Sequence, residues 1–445
     1  MSAGPLPIQP CAGRRLLVVF GSYRSKRHLF ERAHELGVRL VVVDGPGHWA
    51  EADQGEDGLI ERFLAVDLAP FETFAERAAS AAHDTGLDFD GIGAIDEFAG
   101  GFAARLALLM RLPFHSVEAA DLARDKHGTR EACERAGLPG PRFARLASDR
   151  DIEAAARYVG FPAVLKPLSG VGSVQAYKVE DESALRRRFT SVRDEIAGAQ
   201  EPPLEGLRSD RDWFRVMWGR GAHLILESWI EGPKYDVDLL LDEGRVVYAH
   251  ATDDLQPCGL RDVRRLAPSD LSRAAERELI EHAGACVRAI GFRRGAFNVE
   301  VKRTNEGPRM IEVNGRLGGY STTDIHEEVW GVNLLEQWLR SCFGLPLEVV
   351  EREPTGFVAE SLLPSPRTGT VERDGFLEKV RFAPGVLAAR PWVFEGDEVA
   401  GVETGAPDWL GALLARGPTR EAALEQLDRH VSSLDLPVIS RTGKT

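Results

Sequence analysis

GAFNVEVKRTNEGPRMIEVNGRLGG, Gly295 to Gly319, places two short alternating runs, Ala296 to Lys302 and Arg309 to Asn314, either side of a turn-rich Thr304-Asn305-Glu306-Gly307-Pro308. The pattern predicts a β-hairpin with a five- or six-residue loop. Side chains alternate along a strand, so Phe297, Val299 and Val301 share one face, and Asn298 and Glu300 share the other. A hairpin centred on Glu306 sets Glu300 opposite Glu312 and Asn298 opposite Asn314, all four on the polar face. Like charges in register destabilise a sheet. The pair is tolerable if a carboxyl titrates up, if bases surround it, or if a hard cation sits between the oxygens; Mg²⁺ favours one or two carboxylates plus substrate phosphates. The cation alternative also gives the neighbouring Arg316 a use.

At 445 residues the chain has length for two to four domains with real cores. Its net charge of -14, from 69 acidic and 55 basic residues, argues against broad nucleic-acid or anionic-membrane binding, while leaving room for a local basic cleft that takes a small anion. No stretch approaches the roughly 18 consecutive apolar residues of a membrane span. The opening MSAGPLPIQPCAGRR has no apolar core, so a secretory leader is not expected. Cys11, Cys133, Cys258, Cys286 and Cys342 are scattered and lack CxxC spacing, which fits reduced thiols in a cytoplasmic protein.

Residues Leu16 to Asp44 predict strand, loop, helix and strand, and further strands at Glu61 to Asp67 and Gly91 to Asp96 continue a parallel, helix-covered sheet. The first turn lacks GxGxxG, so a dinucleotide site is poorly supported even with Asp44 at a suggestive distance. Two helices follow Val117, the second ending at Gly137 before Pro139. Phe161 to Val179 then gives a buried strand PAVLK, a loop PLSGVGS and a strand VQAYKV. The loop is no Walker P-loop, because GKS/T and the following helix are missing. The backbone amides of Ser169 to Ser173, including Gly170 and Gly172, are nevertheless suited to closing over phosphates, with Lys166 as a point charge at the base. Ala197 to Arg211 is a surface segment, and Arg208, Arg211 and Arg215 are most simply solvated. Glu227 ends the apolar run LIL and precedes Trp229 and Ile230, so it either borders a slot for a flat base or lies on a half-buried strand. An amphipathic helix from Pro268 to Ile290 leads into the hairpin, another spans Asn333 to Phe343, and short β runs with a helix from Thr419 to Ser432 suggest a separate α+β cap.

In chain order, Lys126, Lys166, Glu227, the Glu300 and Glu312 pair, Asn314 and Arg316 supply every part that a nucleotide-dependent phosphoryl transfer needs. This order, with VLKPLSGVGS, LESWIEG, FNVEVK and IEVNGRLGG, resembles the ATP-grasp superfamily, in particular its carboxylate-amine ligases of the L-amino-acid ligase and carnosine synthase type. The similarity spans about Leu16 to Phe343, and EVNxR is its strongest string. It implies that Lys126 and Lys166 contact ATP phosphates, that Ser169, Gly170, Gly172 and Ser173 belong to a loop folding over them, and that Glu227 takes the adenine amine beside Trp229 and Ile230. It further implies that Glu300, Glu312 and Asn314 bind two Mg²⁺ or Mn²⁺ ions and that Arg316 is catalytic, stabilising the reacting phosphoryl group. One departure is Lys234 within EGPKYDVD, where such enzymes usually carry an acidic residue for the ribose hydroxyls.

The implied fold is α/β and α+β multidomain. Residues 1–120 form an N-terminal parallel α/β domain, 121–160 a helical linker, 161–232 a glycine-loop lid, 233–345 a metal-binding antiparallel sheet unit and 346–445 a C-terminal α+β domain. The implied activity joins a carboxylate to an amine through an acyl phosphate, releasing ADP and phosphate. A carboxylase-like or nucleotide-precursor ligase, and a non-catalytic ATP-binding regulator, remain as alternatives. The expected partners are small carboxylates and amines such as amino acids, and a homodimer is compatible with the chain. Candidates for the acceptor pocket are His250, Arg261, Arg264, Arg265, Gly318, Ser321, Thr322, Asp324 and His326, because they neighbour the nucleotide strands in sequence.

Overall fold

The computed structural model describes residues 10–55, 58–169, 175–198, 223–255, 260–261, 263–404 and 407–439, with backbone only at 195–198. Gly170, Gly172, Ser173, Arg208, Arg211, Arg215 and Cys258 lie outside the described residues.

Near the N-terminus, β1 (Arg15–Val19), β2 (Arg39–Asp44), β3 (Arg62–Ala65) and β4 (Gly91–Gly93) form a parallel sheet in the order β3-β2-β1-β4. Their near-continuous apolar runs are buried on both faces, as a helix-covered parallel sheet requires. Asp44 closes the turn after β1 by accepting from the amides of Gly21 (2.7 Å) and Gly45 (2.6 Å). A Cβ on Gly21 would lie 2.4 Å from the His48 ring, so this turn is filled by protein.

A second, antiparallel sheet of β5 (Phe143–Leu146), β6 (Ala163–Pro167), β7 (Tyr177–Val179) and β8 (Leu224–Ser228) runs in the order β5-β8-β6-β7. Its core is Leu146, Ile152, Leu165, Phe189 and Leu226.

The third sheet has eight strands in the order β13-β12-β9-β10-β11-β14-β18-β16. Its first members are β9 (Lys234–Asp242), β10 (Arg245–Leu255), β11 (Arg264–Ala267), β12 (Gly295–Thr304) and β13 (Gly307–Asn314). The others are β14 (Phe357–Pro364), β16 (Val386–Pro391) and β18 (Trp409–Gly417), while β15 (Gly369–Val371), β17 (Glu398–Val399) and β19 (Val438–Ile439) make a small separate sheet. The last hundred residues, expected as a separate cap, therefore contribute three strands to the same sheet that holds the hairpin. β11 and β14 are joined by ladder hydrogen bonds, so residue 345 is no break in the sheet.

One face of this sheet is apolar. Val237, Leu239, Val299 and Val301 pack against Leu279, Ala283, Cys286 and Val287 of helix Arg273–Ile290. That helix starts five residues later than its amphipathic pattern suggests, because Ser272 caps it by accepting from the Ala275 amide.

The hairpin corrects one expectation and keeps another. Its turn is two residues long, since Thr304 already pairs with Gly307, instead of the five or six expected. A β-bulge at Ile311 then adds one residue to β13, between the Val301–Met310 and Glu300–Glu312 pairs. The extra residue moves the centre of the inner pairs to Glu306, so Glu300 does face Glu312 and Asn298 does face Asn314. Among the described residues no helix is long and apolar enough to cross a membrane.

Candidate active site

The polar face of the eight-stranded sheet carries side chains in cross-strand rows. One row is Asn314, Asn298, Asp238 and His250; the next is Glu312, Glu300, Asp236 and Thr252. Within the first row Asn314 Nδ2 donates to Asn298 Oδ1 (3.1 Å), and Asn298 Nδ2 donates to Asp238 Oδ1 (3.1 Å). Gly318 approaches this row closely; a Cβ there would lie 2.3 Å from Asp238 Oδ1, so its role is to leave space. His326 is fully buried behind Asp238, 3.4 Å from Oδ2, with Nδ1 2.7 Å from the Tyr248 hydroxyl. It packs and holds Asp238 in place, and burial pulls its imidazolium form down.

The facing glutamates are neutralised by lysines. Lys126 Nζ lies 2.6 Å from Glu312, and Lys234 Nζ lies 3.1 Å from Glu300 and 3.3 Å from Asp254. Lys126 opens helix Lys126–Arg135, whose N-cap Asp125 accepts from the His127 amide (3.0 Å). Its own amide donates to the Leu168 carbonyl (3.2 Å), and Ser169 Oγ donates to the Arg124 carbonyl (3.1 Å). The base of the glycine loop is thus fastened to the start of the helix that carries Lys126.

Lys166 and Glu227 meet on the second sheet, Nζ to Oε2 at 2.8 Å, both buried. Arg130 completes the group. One helical turn after Lys126, it donates to Glu227 Oε1 (2.8 Å) and Oε2 (3.1 Å) and also to the carbonyl of the bulged Ile311. Burial pushes the Glu227 carboxyl up, but Arg130 and Lys166 outweigh it and hold the pKa at about 2. Burial likewise pulls the Lys166 ammonium down, with Glu227 opposing. Beside Glu227, the Trp229 amide is committed to the Pro162 carbonyl (2.9 Å), and the Ile230 carbonyl accepts from Lys302 Nζ (2.9 Å). The Trp229 ring lies between Lys178 (4.7 Å) and Lys302 (4.2 Å), a cationic surround for one edge of the slot.

Arg316 reaches out of the hairpin to the N-terminal sheet. Its Nε donates to Glu97, just beyond the C-terminal end of β4, and its Nη1 donates to the Leu317 carbonyl (2.8 Å). Burial pushes Glu97 up, and Arg316 overcomes it to hold the carboxyl at about 2. Lys26 stands among Asp96, Glu97, Arg316 and Arg265, its ammonium pulled down by burial.

The acceptor candidates divide by strand parity. Arg265 points inward, to Glu360 (2.8 Å) and Thr322 Oγ1 (3.0 Å), and Glu360 accepts from the Ser321 amide (3.1 Å). Asp324 takes two hydrogen bonds from Arg390 (2.7 and 2.8 Å). These contacts gather Ser321, Thr322, Asp324 and Arg265 in one hydrogen-bonded cluster. Arg264, one residue away on β11, faces outward to Asp428 on helix Arg420–Ser432, and Arg261 donates to the Pro407 carbonyl. Neither Arg264 nor Arg261 joins that cluster. His250 also lies apart, three strands from Asn314, stacked on Trp330 (4.2 Å) and 3.2 Å from both Glu276 and Glu351.

Four of these residues escaped the sequence reasoning: Arg130, Glu97, Glu360 and Arg390. Arg130 had a signal in its i, i+4 relation to Lys126, Glu97 in its place at the C-terminal end of a parallel strand, and Glu360 in interrupting the apolar VAESLL. Arg390 had none.

Two family models match the chain, an ATP-grasp N-terminal domain over residues 30–114 and an ATP-grasp domain over 159–324. Residues 30–114 and 159–324 thus match ATP-grasp domains, the fold is that of ATP-grasp proteins, and the chain is similar to carboxylate-amine ligases of that superfamily. Carnosine synthase 1 of Homo sapiens is 30% identical over 337 residues, covering 73% of this chain and 39% of that protein. The alanine–anticapsin ligase of Bacillus subtilis is 24% identical over 248 residues, 54% of this chain and 52% of that ligase. The crystal structure of an L-amino acid ligase from Bacillus licheniformis superposes with a TM-score of 0.79 at 21% identity, over 97% of this chain and 99% of that one. The chain thus spans about two fifths of the length of the carnosine synthase that it matches.

Proposed function

We propose that this chain is an ATP-dependent carboxylate-amine ligase that joins small molecules, amino acids among them, into an amide or dipeptide. The observation that carries this most directly is the facing Glu300 and Glu312, each beside a lysine, with Arg316 poised between the hairpin and Glu97. In the proposed reaction a carboxylate oxygen attacks the γ-phosphorus of ATP and ADP leaves. The amine nitrogen then attacks the acyl carbon, phosphate departs, and the amine loses a proton.

The donor set suits a hard divalent cation, Mg²⁺ or Mn²⁺. Glu300 and Glu312 offer carboxylate oxygens, and Asn314, whose amide is committed to Asn298, offers its carbonyl oxygen. Such ions, two by the family resemblance, supply charge neutralisation for phosphoryl oxygens. Among the described residues no three His, Cys, Asp or Glu side chains form a complete cage, so nucleotide phosphates have to complete the shell.

The chain's own residues have distinct tasks in this proposal. Lys126 and Lys166 bind phosphates, and Glu227 with the backbone at Ile230 lines the base slot. Arg316 offsets charge on the transferred group. Ser321, Asp324, Arg265 and Arg390 orient the acceptor, and the sheet of β5 to β8 closes as a lid that excludes water from the acyl phosphate. We place the protein in the cytoplasm, as a monomer or homodimer. ADP release on mixing with amino-acid pairs, followed by mass spectrometry of the product, tests the proposal. Absence of ATP turnover across a broad panel of carboxylates and amines would count against it.

A further inference from the structure

Each carboxylate of the facing pair holds a lysine, and the two lysines differ in where they can go. Lys126 heads a helix beside the base of the glycine loop, so an arriving phosphate offers it a new partner. Lys234 starts β9 with its side chain 14% exposed, and its ammonium sits between Glu300 (3.1 Å) and Asp254 (3.3 Å). Asp254 is itself only 4% exposed and lies on β10, next to the strand that carries Lys234. The register neighbour Lys302 donates its ammonium to the Ile230 carbonyl (2.9 Å). Lys234 is therefore a tethered monovalent cation shared by one carboxylate of the pair and one carboxylate outside it.

We propose that Lys234 is a built-in competitor for the divalent cation at Glu300: its ammonium neutralises Glu300 when the site is empty of metal and shifts wholly onto Asp254 when a metal enters. This inference rests on Glu300 and Glu312 being the metal pair. The geometry explains how two glutamates stay in register without nucleotide, and why a cation must displace something to reach them. It also means that metal binds Glu300 more weakly than the two carboxylates alone would allow, so loading depends on the phosphates that arrive with it.

Mn²⁺ titration of the full chain, followed by electron paramagnetic resonance with and without a non-hydrolysable ATP analogue, tests this. Lys234→Gln is expected to lower the Mn²⁺ Kd about fivefold or more, since it removes a like charge a few ångströms from the ion. Asp254→Asn removes the carboxylate outside the pair that shares the ammonium and is expected to raise the Kd several-fold. Lys302→Gln removes the same charge two residues along the strand of Glu300, where the ammonium is held by the Ile230 carbonyl, and is expected to tighten binding by clearly less than Lys234→Gln does. Unchanged or weaker binding in Lys234→Gln, or equal tightening in Lys302→Gln, overturns the inference while leaving the metal pair standing. Failure of the unsubstituted chain to bind Mn²⁺ even with the analogue overturns both. Should Lys234→Gln not fold, the sign of the Asp254→Asn effect decides.

Discussion

Arg130 grips both carboxylate oxygens of Glu227, at 2.8 and 3.1 Å, and with the same guanidinium reaches the bulged Ile311 of the hairpin. One side chain thus ties the sheet of β5 to β8 to the sheet that carries the facing glutamates. Arg130 and Glu227 are buried, so removing one partner leaves a charge without its counter-charge. Arg130→Met is expected to destabilise the fold by about 3–5 kcal/mol, and Arg130→Lys, which cannot make the two-pronged contact, to recover less than half of it. Denaturant unfolding of the three proteins checks this. Equal stability of Arg130→Lys and the unsubstituted chain would sink the bridging role.

Glu97 gives a prediction in pH. Its pKa falls from 4.5 to about 2 because Arg316 outweighs burial. A depressed carboxyl pKa contributes stability that is full above about pH 4.5 and is lost as the pH falls toward 2, worth roughly 3 kcal/mol at one pKa unit per 1.36 kcal/mol. Glu97→Gln is expected to be less stable at pH 7 and to show a shallower decline between pH 4.5 and 2. Parallel acid limbs for the two proteins would mean that Glu97 and Arg316 are not coupled as described.

The two faces of the hairpin make opposite predictions. Glu312 is about a quarter exposed, so Glu312→Ala is expected to leave a folded protein whose turnover falls by about 10³-fold or more. Val299 is fully buried, and Val299→Asp places a charge in the helix-facing core, costing several kcal/mol. Circular dichroism melts beside ADP release separate the two. Similar losses of soluble protein in both would reverse the assignment of faces.

His250 supplies a negative control. Its ring stacks on Trp330 at 4.2 Å and bonds Glu276 and Glu351, outside the hydrogen-bonded cluster of Arg265 and Asp324. His250→Phe keeps a flat ring there and is expected to leave kcat/KM within about threefold, while the loss of two acidic neighbours' partner costs stability of about 1 kcal/mol. A hundredfold loss of activity with an unchanged melting temperature would return His250 to the site.

Much of this molecule is written in periodicity. Alternation in Ala296 to Lys302 and Arg309 to Asn314 predicts both faces of the hairpin, and Val237, Val299 and Val301 do pack on the helix that the same rule predicts. The turn length was not legible, because Thr304 to Pro308 is rich in turn formers at every position and the bulge leaves no mark of its own in the residues around Ile311. Pairing between distant segments was also hidden: β14 joins β11 through backbone hydrogen bonds that carry no residue code. Parity explains the pocket errors. Arg264 and Arg265 are equivalent as sequence, and only the direction of β11 sends one to Asp428 and the other to Glu360.

The bulge at Ile311 has an evolutionary consequence. Because it restores the pairing of Glu300 with Glu312 below a two-residue turn, the tip of the hairpin and the chemistry at its base are set by independent means. Residues Asn305 and Glu306 are free to lengthen or change without disturbing the carboxylates. A regular ladder that kept Ile311 in the pairing would instead set Ile311 opposite Glu300 and Glu312 opposite Val299, on the apolar face. Selection on the turn is thereby relaxed, and selection for the irregular backbone at Ile311 falls on a short segment outside the facing pair.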